Sequence, residues 1–159
     1  MISEAMQALY AGERERAESL LTPGGETVFE AAAFGRLERL VELLTAEPEL
    51  VNAYSPDGFT PLHLACFSGG AETARLLVDR GADLEALSRA SFARVRPLGT
   101  AAFSGDRESA RVMLAAGADP NGRGEGDDAT PLRSAREHGD VAFAELLLEH
   151  GADPGEPSK

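Results

Sequence analysis

His63 and Cys66 stand three positions apart, a spacing that would set an imidazole and a thiol on one helical face, as thiol–imidazole nucleophilic chemistry requires. The competing reading makes both residues structural. Cys66 is the only cysteine, so it has no internal disulfide partner, and one sulfur with three histidines is too few for a structural zinc site. That count fits a reducing, cytoplasmic setting. The 27 acidic residues are spread along the chain with no pair placed across a cleft, which reads as a solvated surface rather than a general acid and base. GRGEG at 122–126 precedes a helix and could cradle phosphate. It lacks the Lys-Ser/Thr ending of a phosphate loop and follows no predicted strand, so it reads as a flexible connector. Arg89, Arg94 and Arg96, with Phe92, form a basic and aromatic island that could dock an acidic partner segment. Arg94 and Arg96 could instead act as an anion clamp for a small ligand in a sensor or enzyme. The bland reading of the same stretch is a surface insertion, tolerated because loop-closure entropy grows slowly with length.

The elements that must position these residues come from a chain of 159 residues, 43% hydrophobic, long enough for one domain with a sizeable core. The formal net charge of −12 repels phosphate backbones and anionic lipid, which argues against nucleic-acid and membrane partners. The opening residues, MISEAMQALYAGERER, have no basic start followed by an apolar run. No apolar stretch approaches the roughly 20 residues of a membrane span. The expectation is a soluble protein that is not exported.

Self-similarity organises the rest. TPLHLACFSGGAETARLLVDRGADLEA starts at Thr60, RPLGTAAFSGDRESARVMLAAGADPNG at Arg96 and TPLRSAREHGDVAFAELLLEHGADPGE at Thr130, each with 21 residues from its start to Gly81, Gly117 or Gly151. A looser copy begins near Glu26 and places Ala31 and Gly35 34 residues before Ala65 and Gly69. Residues 1–24 carry a shortened, more polar version, as the exposed end of a stacked array requires. Each unit parses as two short helices. Thr60-Pro61 and Thr130-Pro131 start the first, and Gly69, Gly105 and Gly139 stop it by entering the left-handed conformation. The second is expected over 72–80, 108–115 and 142–150, with leucines at helical spacing. Helices of about two turns cannot bury an apolar stripe alone, so each leans on the next unit.

Thr-Pro-Leu-His at 60–63, Gly-Ala-Asp at 81–83, 117–119 and 151–153, and a period near roughly 33 residues resemble the ankyrin repeat family over about residues 26–154. EPELVNAYSPDGFTPLHLA at 47–65 is similar to small bacterial members. Period alone supports only a helical repeat array. The resemblance implies an all-α, ankyrin-type α-solenoid of four helix-turn-helix repeats with an N-terminal helical cap. It would form a single domain over 1–159, with the cap at 1–24 and repeats at 26–59, 60–95, 96–129 and 130–156. It also implies that His63 bonds backbone between neighbouring repeats, that Cys66 fills a small buried slot, and that the Gly-Ala-Asp aspartates are turn features.

The resemblance further implies a concave face, built of turn fingers and first helices, that binds proteins. The two residues before each helix-ending glycine face it: Ala33 and Phe34, Phe67 and Ser68, Phe103 and Ser104, then Glu137 and His138. A row of Phe34, Phe67 and Phe103, flanked by Tyr54 and Phe59 on a finger, would leave an apolar groove rimmed by charge. The other outcome is that one or more rings turn inward between repeats. The expected contact residues are Tyr54, Asp57, Phe59, Phe67, Ser68, Phe92, Arg94, Phe103 and Ser104. The expected partner is a protein or peptide, met by a monomer without catalysis, metal or cofactor; self-association through the groove is the alternative. The third connector, residues 83–95, departs from the pattern. It is longer than the family's usual connector, and Arg96-Pro97 replaces Thr-Pro, removing a cap that contributes about 1 kcal/mol.

Overall fold

The computed structural model describes residues 1–91, 94–122 and 130–155. Helices come in consecutive pairs: α1 (Glu4–Tyr10) with α2 (Arg14–Ser19), α3 (Val28–Phe34) with α4 (Leu37–Ala46), and α5 (Pro61–Leu64) with α6 (Ala71–Asp79). Then α7 (Pro97–Ser104) pairs with α8 (Arg107–Ala115), and α9 (Pro131–Glu137) with α10 (Val141–Glu149). First helices pack on first helices along α3, α5, α7 and α9, and second on second along α4, α6, α8 and α10, which makes an all-α solenoid. The helix starts follow the caps read from sequence. The hydroxyls of Thr27, Thr60 and Thr130 accept the backbone N–H groups of Glu30, His63 and Arg133, whereas Arg96 places no side chain on the start of α7.

One slot explains how closely the pairs stack. Ala8, Ala31, Ala65, Ala101 and Ala135 each lie four residues before Gly12, Gly35, Gly69, Gly105 and Gly139, and all are buried. A methyl group is all the space between adjacent first helices permits. Leucines and larger side chains from the second helices, among them Leu40, Leu44, Leu77, Met113 and Leu147, fill the volume beneath. The following slot is Ala32, Cys66 and Ala102, again buried, until the last described unit, where Arg136 takes the position. Its guanidinium is exposed and donates to the carbonyl of Pro154 at 2.9 Å, so this face of the array meets water with a charge.

The expected left-handed stop at Gly69 is corrected. Gly35, Gly105 and Gly139 have positive φ, but in the second unit it is Gly70 that does, at φ 92°. The chain from Ala65 to Gly69 widens into a π-turn, with the N–H of Gly70 donating to the carbonyl of Ala65 five residues back. Gly69 is needed for a different reason: a Cβ there would lie 1.9 Å from the carbonyl oxygen of Ala32 in the preceding unit.

Candidate binding groove

The finger before α5 is a closed turn. The N–H of Ser55 donates to the carbonyl of Phe59 at 2.8 Å, and the N–H of Phe59 donates to Ser55 Oγ at 3.1 Å. Ser55 Oγ in turn donates to the carboxylate of Asp57. The long third connector is pinned against this finger rather than standing away from it. Arg89 N–H donates to the carbonyl of Gly58 at 2.7 Å, Tyr54 Oη donates to the carbonyl of Leu87 at 2.9 Å, and the Arg89 guanidinium lies 3.7 Å from the centre of the Tyr54 ring. A Cβ on Gly58 would come within 2.5 Å of Ala90 N, so the finger tip must be glycine for the connector to reach it. Ser88 and Val95 close the base of the loop, Ser88 N–H donating to the Val95 carbonyl and Val95 N–H to Ser88 Oγ.

That arrangement divides the expected arginine island. Arg89 lies on Tyr54, Arg96 donates to the backbone carbonyl of Glu85, and Arg94 is exposed. Phe92 and residues 123–126 of the glycine-rich stretch lie outside the described residues. Glu85 also accepts the N–H of Asp119, and burial, followed by the carboxylates of Asp119 and Asp83, raises its pKa against the opposing pull of that N–H and of Arg96. The Gly-Ala-Asp aspartates are turn features: Asp83, Asp119 and Asp153 each accept, on Oδ1, the N–H two residues on.

His63 and Cys66 point to different neighbours. His63 Nδ1 accepts from Thr60, and because a carbonyl only accepts, Nε2 carries the proton it donates to Val95 O at 2.8 Å. The imidazole thus ties the start of α5 to the end of the connector that leads into α7. Burial pushes its pKa down to about 4 despite that hydrogen bond and the negative charge of Asp83. Cys66 is fully buried with its sulfur 3.8 Å from Met113 Sδ, and burial raises its thiol pKa, which suits packing and not nucleophilic attack.

The phenylalanines have three different surroundings. Phe34 is only 4% exposed, which overturns its expected place in an open row: the ring is turned inward, and Arg14 Cζ sits 5.5 Å from its centroid. Phe67 is half-buried, with the edge of Tyr10 5.6 Å away. Phe103 is 61% exposed, and its nearest ring is His138 at 5.4 Å, nearly perpendicular. Phe59 is half-buried against the core and edge-on to His63. Ser68 and Ser104 stitch units together, their hydroxyls donating to the carbonyls of Ala33 and Cys66, both at 2.6 Å.

Tyr10 and Arg14, absent from the residues expected on this face, lie across its first half. Tyr10 touches Phe67, and its hydroxyl feels the charge of Asp57; Arg14 covers Phe34 and donates to the carbonyl of Ser68 at 3.2 Å. The signal was present in the sequence, since Tyr10 precedes Gly12 by the same two residues that separate Phe67 from Gly69 and Phe103 from Gly105.

Stacked helix pairs with alanine-spaced first helices define a helical repeat protein. The chain belongs to the ankyrin repeat family. A family model of three ankyrin repeat copies matches residues 3–88 and 28–124, and a single-repeat model matches 127–159. The chain is 28% identical over 122 residues to ankyrin repeat protein nuc-2 of Neurospora crassa, covering 77% of this chain and 8% of that protein. It is 40% identical over 63 residues to probable E3 ubiquitin-protein ligase XBOS31 of Oryza sativa, covering 39% and 14%, and 36% identical over 89 residues to protein phosphatase 1 regulatory subunit 12A of Mus musculus, covering 56% and 8%. The chain therefore spans about a tenth of the length of these curated relatives, all of them eukaryotic. Ankyrin repeats are in general protein–protein interaction modules. Among the described residues, no helix is long and apolar enough to cross a membrane.

Proposed function

We propose that the chain is a non-catalytic module that takes a protein or peptide on its first-helix face, in a cytoplasmic setting, with residues 1–24 as the cap and 26–59, 60–95, 96–129 and 130–156 as the repeats. The observation that carries this reading is Phe103, 61% exposed on the first-helix face with the His138 ring edge-on to it. A large apolar ring held in water by a rigid helix is the kind of feature that an interface covers. Phe67 and Ser68 extend the contact toward the N-terminus, and Ser104 lies beside Phe103. Tyr54, Asp57 and Phe59 on the braced finger, with Arg94 on the connector, form its rim.

Affinity capture from the native cell extract tests the reading, with the wild-type protein beside a Phe103→Ala variant whose thermal unfolding is unchanged. Proteins held by the groove are depleted from the variant's eluate. Equal recovery by both, protein for protein, removes Phe103 from the binding face and with it the reading.

A further inference from the structure

The covered half of the groove displays the chemistry that this face accepts. Tyr10 packs roughly perpendicular to Phe67, ring centroids 5.6 Å apart, and burial together with the charge of Asp57 holds its hydroxyl proton firmly. Four residues later, Arg14 sets its guanidinium over Phe34 and donates Nη1 to the carbonyl of Ser68. An aromatic ring and a guanidinium four residues apart thus engage rings and a main-chain carbonyl of this face, with the carboxylate of Asp57 nearby.

The other half repeats much of that surface without such a cover. Phe103 and Ser104 precede Gly105 as Phe67 and Ser68 precede Gly69. The Phe67 ring packs on Tyr10, centroids 5.6 Å apart, and the Phe103 ring on His138 of the last unit, centroids 5.4 Å apart. Glu137 stands in the last unit at the position of Phe103, adding a carboxylate beside the ring; it is engaged by Arg133 at 2.7 Å, an exposed pair that a competing cation can displace at little cost. The chain as a whole carries a net charge of −12 and draws cations toward the face.

We propose that the Phe103 half of the groove binds a cationic peptide segment that carries an aromatic side chain about one turn from an arginine, held as Tyr10 and Arg14 are held on the neighbouring half. This rests on the groove reading above and adds the chemistry of the partner. The probe is a fluorescein-labelled peptide with a Tyr-Ala-Gly-Ala-Arg core between flanking lysines, titrated by anisotropy against the full chain. The expected result is saturable binding weakened about tenfold by Phe103→Ala, by replacing the peptide's tyrosine with alanine, and by raising the salt. Phe103→Leu, which keeps the apolar area but not the ring edge, falls between. The inference is overturned by absent binding, by coincident wild-type and Phe103→Ala isotherms, or by a tyrosine-free peptide that binds equally well, since the last would reflect charge alone. If the peptide fails while Phe103→Ala still depletes captured proteins, the partner chemistry is wrong and the groove reading stands; if both fail, the groove reading falls with it.

Discussion

Phe67 and Phe103 hold the same place in their repeats, two residues before Gly69 and Gly105, yet the first is half covered and the second is 61% exposed. The difference comes from neighbours. On the N-terminal side, Tyr10 reaches over Phe67, with small, buried Ala33 in the intervening unit, while Arg14 closes over Phe34. On the C-terminal side, the equivalent position in the last unit is the charged Glu137, and the His138 ring stands edge-on to Phe103. A phenylalanine in a repeat array is therefore core or contact according to the side chains of adjacent units, and its own position does not decide between them.

Alanine substitution at the two extremes gives the largest contrast. Phe34→Ala removes a buried ring and is expected to cost about 3–5 kcal/mol, whereas Phe103→Ala, on an exposed ring, is expected to cost under about 0.5 kcal/mol. Urea unfolding midpoints measure both, and similar losses would abolish the distinction between a covered and an open half.

Where the halves meet, His63 ties the start of the second unit to Val95 at the end of the connector that leads into the third. Its folded pKa is about 4 against 6.5 for the free side chain, so between those values the unfolded chain binds more protons and stability falls as the pH falls. Between pH 7.5 and pH 5 the wild type is expected to lose about 2 kcal/mol more than a His63→Gln variant, since the carboxylates titrate in both. Parallel pH dependence in the two proteins would show that the junction does not rest on a neutral imidazole.

A smaller effect is expected where the cap meets the finger. A double-mutant cycle of Tyr10→Phe and Asp57→Ala should give a coupling of under about 1 kcal/mol, the scale of a part-exposed hydroxyl interacting with a nearby carboxylate charge. Additive losses would mean that Tyr10 rests on Phe67 alone and that the hydroxyl contact adds nothing to the cover.

Much of this was legible from residue spacing. The repeat start at Thr60 and Thr130, the missing cap at Arg96 and the paired helices depend on local chemistry that recurs with the period, so sequence alone determined them, while the structural roles of His63, Cys66 and the Gly-Ala-Asp aspartates were implied by the family resemblance. Three features did not follow from it. Gly69 and Gly105 share a position in the repeat, but Gly69 is required by the approach of Ala32 and passes the left-handed turn to Gly70. The arginines of the third connector look like one basic island, yet Arg89 and Arg96 are drawn to a ring and a carbonyl of this same chain. Phe34, Phe67 and Phe103 look like one row and become a core residue, a half-covered ring and an exposed one. Only the tertiary structure decided these, because close approach, cation–ring contact and exposure are set by side chains one or two units away, while the local period records only what each repeat does for itself.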